Sequence, residues 1–248
     1  MPNEPILKGV PPMKMRMTSL VILCLALASV PARPQNWSYN NGPICGASPV
    51  GSCGENAWTI NFGYVVSDTF FIDGSVNSPT VTNFMFGAWE FPGDSMLSVD
   101  WSITLGEAGG KLYGQGTATV GGGPGGTLTD QFISVNAYGY NTDLITVKDL
   151  NVEVPSATQL WLNLANASVA NGDPVYWDES DGVGCGGSDG HGANCPSLAS
   201  ESALGTIPSE SFTIGGTPNN GTTPEPDSIA LFGSGILGLA GVLRYKFF

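Results

Sequence analysis

The sequence has few charged residues, and very few of them are positive. Only 12% of its 248 residues are Asp, Glu, Lys or Arg, and 21 acidic residues stand against 8 basic ones. Eighteen of the acidic residues but only three of the basic ones lie between Arg33 and Thr223, a net charge of −15 for that segment. Such a field repels the phosphates of nucleic acids and anionic lipids. We therefore expect no nucleic-acid partner, whereas neutral glycans, cations and basic proteins remain compatible.

The usual signatures of catalysis are also missing. The chain has one histidine, His191, and no Gly-x-Ser-x-Gly, His-Glu-x-x-His or lysine-bearing phosphate loop. The glycine run Gly121–Gly126 lacks the following helix that a phosphate cradle requires. Adjacent carboxyls such as Asp178 and Glu179 would point to opposite faces of a strand, which is a poor layout for an acid and base pair. We predict no catalytic residue and favour a non-enzymatic protein.

Amphipathic helical patterns of three turns are absent between the two ends of the chain, and strand patterns take their place. In Leu97–Leu105, five apolar positions alternate with four polar ones, as in a half-buried strand. Less regular runs predict further strands: Trp58–Val66, Val81–Ala88, Gly116–Val120, Phe132–Tyr138, Leu144–Val154, Leu160–Leu164 and Ser211–Ile214. Turn residues separate them. We expect an all-β ectodomain at 33–214, an antiparallel β-sandwich of jelly-roll or immunoglobulin-like type, followed by a Gly- and Thr-rich linker at 215–223.

The N-terminal end has the pattern of a secretory signal peptide. Lys14 and Arg16 precede the apolar run Leu20–Val30, and small residues follow up to Ala32. We predict a signal peptide at 1–32 with cleavage close to Ala32.

The cysteines are consistent with an oxidising compartment. Removal of the signal leaves four, in two local pairs eight and ten residues apart: Cys45, Cys53, Cys185 and Cys195. Four cysteines allow three connectivities, and the short separations favour Cys45–Cys53 and Cys185–Cys195. A zinc site is the weaker alternative, because no Cys-x-x-Cys occurs and only one histidine is present.

The last 25 residues combine an acidic Pro-rich turn, an uncharged apolar segment and a short basic end. Pro224, Glu225 and Pro226 are followed by the segment 229–243 and then by Arg244 and Lys246. As a helix the segment would be about 22 Å long, shorter than the roughly 30 Å hydrocarbon core. We predict a transmembrane helix at 229–243 that holds the chain marginally in the inner membrane.

This order of parts resembles the PEP-CTERM sorting signal of bacterial envelope proteins over residues 224–248. The resemblance implies recognition and processing by an exosortase at Pro224, Glu225 and Pro226, and delivery to the cell surface or the extracellular space. It also implies an ectodomain similar to β-rich domains of that group with no assigned activity, often in bacteria that make exopolysaccharide. An ordinary single-pass anchor is the alternative.

The best candidate for a binding site is the segment from Asn171 to Pro196, in which aromatic and acidic residues adjoin. Tyr176 and Trp177 would offer flat faces to a sugar ring, and Asp178 would accept hydrogen bonds from its hydroxyls. Trp161, out of phase with the leucines around it, is a second candidate platform. The structural alternative is that one of these rings packs inward and the acids are solvated.

Calcium binding is a further alternative for the same segment. Asp178, Glu179 and Asp181 are hard oxygen ligands, although their spacing falls short of an EF-hand loop. We thus expect an exported matrix or surface protein that associates with extracellular polysaccharide. The alternatives are a secreted polysaccharide hydrolase and a calcium-stabilised structural surface protein.

Overall fold

The computed structural model describes residues 36–44, 53–180 and 198–219, with backbone alone for 53–55. In these residues the chain forms β-strands and no helix, which confirms the all-β prediction. The strands are β1 Trp37–Asn40, β2 Cys53–Thr59, β3 Val65–Phe71, β4 Pro79–Glu90, β5 Met96–Gly106, β6 Gly109–Val120, β7 Thr127–Val135, β8 Asn141–Lys148, β9 Val152–Glu153, β10 Gln159–Val169, β11 Tyr176–Ser180, β12 Ala199–Glu201, β13 Gly205–Ile207 and β14 Phe212–Pro218.

The described strands belong to one sheet, with the order β1-β14-β4-β8-β7-β6-β5-β10-β3-β12-β13. Strand β11 pairs with β2 and with the end of β4, and β9 pairs with the start of β4. The neighbouring strands of the described sheet are antiparallel except for β6 and β7, which run parallel over two residues. Long hairpins such as β5–β6 and β7–β8 therefore build most of the sheet.

The sheet curls until strands from its two ends meet. The ring of Tyr39 on β1 lies 6.3 Å from that of Phe70 on β3, although eight steps separate these strands in the sheet order. Between the two ends, Asn41 donates a hydrogen bond from Nδ2 to Asp68 Oδ2 at 2.9 Å. The two ends are joined here by side chains rather than by a backbone ladder. The part of the chain that the structure describes is thus a curled open sheet.

One face of the sheet encloses the hydrophobic core. Alternate residues of β4, β5 and β10 are fully or almost fully buried there: Phe84, Phe86, Ala88, Val99, Trp101, Ile103, Leu160, Leu162 and Leu164. Phe84 and Trp101 meet edge to face, with ring centroids 6.1 Å apart, from strands four steps apart in the sheet. The period-two pattern thus identified the inward residues of these strands correctly, except at the ends of β5, where Leu97 and Leu105 are 46% and 45% exposed.

The apolar run Trp58–Val66 is not one strand. It divides into the end of β2 and the start of β3 around a tight turn in which the Tyr64 N–H donates to the Asn61 carbonyl at 3.0 Å. Phe62, at φ 56°, and Tyr64 are 63% and 41% exposed. An alternating pattern alone could not reveal this break, because the two turn aromatics fall in phase with the core residues Ile60 and Val66.

The predicted linker begins too early. Strand β14 continues through Pro218 and pairs with both β1 and β4, so four residues assigned to the linker belong to the sheet. The ladder has an irregularity between Gly215 and Gly216, and a Cβ at Gly216 would overlap the Thr80 carbonyl oxygen. Glycine is required there because the two backbones approach closely. In the sequence alone, such a glycine cannot be told from one in a flexible spacer.

The predicted transmembrane helix at 229–243 and the signal peptide at 1–32 lie outside the described residues. Within residues 36–44, 53–180 and 198–219 there is no apolar helix of membrane-spanning length.

Candidate functional site

Strand β11 places the two predicted sugar-binding aromatic residues on opposite faces of the sheet. Trp177 is fully buried, and its ring packs edge to face against Phe86 and Phe212, with centroids 5.9 and 5.7 Å away. Its Nε1 donates to the Ser211 carbonyl at 3.0 Å. The prediction that Trp177 offers a face to a sugar is therefore wrong: the ring is part of the core. Its pairing opposite Ala88 of β4 directs it inward.

Asp178 also has a different environment from the one expected. It is fully buried, and its Oδ1 accepts a hydrogen bond from Trp89 Nε1 at 2.7 Å while its Oδ2 accepts one from Ser211 Oγ at 3.1 Å. A carboxylate with two such donors fixes the orientation of the Trp89 ring. Asp178 acts here as the support of an aromatic side chain and does not face solvent.

Tyr176 belongs to a group of five aromatic residues on the outer face of the sheet, where β4 ends and β8 and β11 begin. This aromatic cluster consists of Trp89, Phe91, Tyr138, Tyr140 and Tyr176. Tyr140 is central: its ring stacks on Trp89 at 6.0 Å and meets Phe91 and Tyr176 edge to face at 5.0 and 5.7 Å. Tyr138 tilts against Trp89 at 5.8 Å. Burial, with Tyr140 adding to the effect, raises the pKa of the Tyr176 hydroxyl, so Tyr176 remains a neutral donor at physiological pH.

The aromatic cluster is layered from the sheet outward. Trp89 is 6% exposed and lies at the base, Tyr140 and Tyr176 are half-buried, and Tyr138 is 59% exposed at the rim. Rings held in contact in this way lose little side-chain entropy when a ligand covers them. Flat apolar faces beside tyrosine hydroxyls suit a ligand with an apolar face and a rim of hydroxyl groups.

Trp161 lies elsewhere. It is half-buried on β10, between β3 and β5, on the face opposite the buried leucines, as its phase predicted. None of the ring contacts among the described residues connects it to Tyr176. Asn163, on the same face of β10, lines a shallow pocket of about 480 Å³ together with Asp100 and Ser102. Trp161 and Tyr176 therefore do not form one platform.

Three carboxyl groups meet on the core side of the sheet, at the end where β4 stops. This acid cluster consists of Glu90 on β4, Asp143 on β8 and Asp130 on β7, and one oxygen of each lies within 4.8 Å of the others. Glu90 is fully buried, and neither of its carboxyl oxygens has a hydrogen-bond partner among the described residues. Asp143 is 3% exposed, and its Oδ2 likewise has none. Asp130 is half-buried and accepts from the Met96 N–H at 2.7 Å.

The acid cluster has strongly shifted ionisation. Burial raises the pKa of Glu90 to about 8, and the charges of Asp130, Asp143 and Asp94 add to the shift. Burial and then Asp130 raise the pKa of Asp143 to about 7. Burial also raises the pKa of Asp130, against the opposing effect of the Met96 hydrogen bond. Like charges at this spacing in a desolvated site cannot all remain ionised without a counter-charge.

The sequence analysis missed all three residues of the acid cluster, although two of them, Glu90 and Asp143, had a signal in the sequence. Glu90 is in phase with Phe84, Phe86 and Ala88, and Asp143 is in phase with Ile145 and Val147, so each acid sits at an inward position of its strand. Acids at core positions are rare and mark a special environment. The aromatic cluster had a weaker signal, since its members come from three segments that only the sheet brings together.

The remaining predicted sites are not covered by the structure. Asp181, His191 and the cysteines Cys45, Cys185 and Cys195 lie outside the described residues, as does the side chain of Cys53. The same holds for the sorting motif Pro224, Glu225 and Pro226. The calcium site at Asp178, Glu179 and Asp181 stays a prediction, and Glu179 pairs with Glu210 in an isolated bridge.

Comparison with known proteins does not assign the chain to a family. No protein-family model matches the sequence, and no curated protein matches it significantly.

Proposed function

We propose that this protein is exported, sorted through a PEP-CTERM signal and processed by an exosortase, and that its β-domain is a non-enzymatic surface or matrix module. In this proposal the two halves of the curled sheet are the layers of a β-sandwich of jelly-roll or immunoglobulin-like type. The domain associates with extracellular polysaccharide through the aromatic cluster. The single observation that carries the glycan proposal is this layered group of five rings, which is open to solvent at Tyr138.

The charge of the domain favours a neutral glycan. Acidic residues outnumber basic ones by fifteen between Arg33 and Thr223, so an anionic polysaccharide would be repelled at low ionic strength. Sugar rings carry apolar C–H faces that pack on aromatic rings, and their hydroxyls can bond to Tyr140 and Tyr176. Because Asp178 fixes Trp89 from behind, the base of the cluster is rigid before a ligand arrives.

Affinity electrophoresis tests the proposal. The full-length chain in detergent is run through native gels that contain dextran, galactomannan or an acidic alginate. We expect slower migration in a neutral polysaccharide. Tyr138→Ala should weaken binding about 2- to 10-fold, as expected for loss of one aromatic contact of about 0.5–1.5 kcal/mol.

Phe62→Ala is the matched control. Phe62 is 63% exposed, more than Tyr138, and no ring contact among the described residues involves it. The glycan proposal would be contradicted if the polysaccharide slowed the two variants equally. It would also be contradicted if no polysaccharide slowed the wild type. Release of new reducing ends from a polysaccharide would instead support the hydrolase alternative.

A further inference from the structure

We propose that the acid cluster of Glu90, Asp130 and Asp143 is a binding site for a divalent cation of the calcium type. The proposal is independent of glycan binding, because the cluster faces the core side of the sheet and the aromatic cluster faces outward. It also differs in place from the site expected from the sequence at Asp178, Glu179 and Asp181.

The distances between the three carboxyl groups suit a single calcium ion. Two oxygens bound to the same Ca²⁺ at 2.3–2.6 Å are at most about 5 Å apart. Here one oxygen from each of the three residues lies within 4.8 Å of the other two. Three carboxylates can supply up to six oxygens, close to the six to eight that Ca²⁺ prefers. Mg²⁺ demands shorter, octahedral bonds and keeps its waters, so it fits less well.

The unsatisfied carboxyl group of Glu90 is evidence for a bound cation that does not depend on how many acids the cluster contains. Its side chain is fully buried and directed at Asp130 and Asp143, and both of its oxygens lack a partner among the described residues. A buried polar group is ordinarily satisfied, and each exception calls for an explanation such as an ion. Asp143 Oδ2 shows the same deficit at 3% exposure. A cation between the three carboxyls would satisfy these oxygens together.

No described side chain supplies the positive charge instead. The basic residues within the described ranges are Lys111 and Lys148. Lys148 is exposed and lies five residues beyond Asp143 along β8, about 17 Å at the usual rise of a strand. Lys111 is exposed over the ring of Tyr113, 4.7 Å from its centroid. The cluster also holds only carboxylates, which favours a hard cation over zinc or copper.

The position of the site indicates a structural role. Glu90, Asp143 and Asp130 come from three strands that are neighbours in the sheet, and Asp130 also holds the first N–H of β5 through Met96. A cation would therefore fasten the end of β4 to β7 and β8, and to β5 through Asp130. Half-buried Asp130 gives the ion its route from solvent.

Calorimetry with the metal alone tests the site. The full-length chain in detergent is freed of metal with a chelator and titrated with CaCl₂, then separately with MgCl₂, at constant ionic strength. We expect one Ca²⁺ per chain with a Kd of about 10⁻³ M or tighter, as for extracellular calcium modules. At 100 times the Kd, the melting temperature should rise on the order of 5–10 °C.

The variants assign the effect to these residues. Glu90→Gln and Asp143→Asn should each weaken Ca²⁺ binding at least tenfold, while their metal-free melting temperatures stay equal to or above that of the wild type because repulsion is relieved. Asp130→Asn, at a half-buried position, serves as the third variant if either of the others fails to fold. Glu153→Gln removes an exposed carboxyl as a matched control and should leave Ca²⁺ binding unchanged.

Three results would overturn the proposal: no calcium-dependent heat or melting shift at 10 mM, an equal response to Mg²⁺, or an equal loss of response in Glu153→Gln. A glycan-binding result of either sign leaves this test unaffected, since its readout is the metal alone.

Discussion

At the scale of single residues, a second pair of buried acids, Asp68 and Glu210, lies where the ends of the sheet meet. The two carboxyl groups differ in their hydrogen-bond partners. Asp68 Oδ2 accepts hydrogen bonds from Asn41 Nδ2, Ser209 Oγ and the Glu210 N–H at 2.9, 3.1 and 2.6 Å, a set of donors that stabilises an anion. Glu210 is fully buried, and neither of its carboxyl oxygens has a partner among the described residues. A proton on Glu210 lets both acids remain buried together.

The buried carboxyl group of Glu210 predicts that the stability of the fold depends on pH. Burial, and then the charges of Asp68 on β3 and of Asp178 and Glu179 on β11, raises the pKa of Glu210 well above its ordinary 4.5. Above pH 4.5 the folded chain thus keeps a proton that the unfolded chain loses. The contribution of Glu210 to stability is fully present below that pH and is lost as the pH rises through its folded pKa.

Glu210→Gln, which stays neutral, should therefore flatten the pH dependence. Melting temperatures of the variant and the wild type, measured from pH 4 to 9, are expected to differ progressively in favour of the variant as the pH rises. Glu153→Gln, at an exposed position, should follow the wild type. Parallel curves for Glu210→Gln and the wild type would show that Glu210 does not bind this proton.

At the scale of elements, β14 and β4 approach each other closely at Gly216, where the absence of a side chain makes room for the neighbouring backbone. Gly216 stands opposite Val81 beside a ladder irregularity, and its missing Cβ leaves room for the Thr80 carbonyl and for the Trp37 ring on β1. This strand therefore depends on glycine for its pairing on both sides.

Gly216→Ala should destabilise the domain by about 1–3 kcal/mol, the usual cost of overpacking a well-packed site. Thermal melting should show a decrease of about 2–4 °C per kcal/mol. Gly106→Ala is the control, because a Cβ there meets its nearest neighbour, the Gly109 carbonyl oxygen, at an ordinary 3.5 Å. An unchanged melting temperature in Gly216→Ala would mean that β14 does not lie as closely against β4 as described.

At the scale of the whole molecule, the proposed export and processing of the protein depend on its two ends. The signal peptide at 1–32 and the sorting segment at 224–248 are expected to be removed, leaving a strongly acidic β-domain outside the inner membrane. Both segments lie outside the described residues.

Mass spectrometry of the native mature protein tests this processing. We expect an N-terminus close to Arg33, a C-terminus within Pro224–Asp227, and disulfides that join Cys45 to Cys53 and Cys185 to Cys195. A mature chain that still ends at Phe248 would favour a simple membrane anchor, and reduced cysteines with an uncut leader would contradict export.

The sequence by itself determined what depends on local pattern. Alternation in Leu97–Leu105 and Leu160–Leu164 was sufficient to place β5 and β10 and to assign the inward side chains in the middle of each strand, because side chains alternate across a strand wherever it lies. The tertiary structure decided which residues meet. Trp177 turned inward because of its pairing with β4, Gly215 and Gly216 proved to be sheet because of close backbone approach, and both clusters assemble residues from segments far apart in sequence. Such contacts depend on register and curvature, which no single stretch of residues encodes.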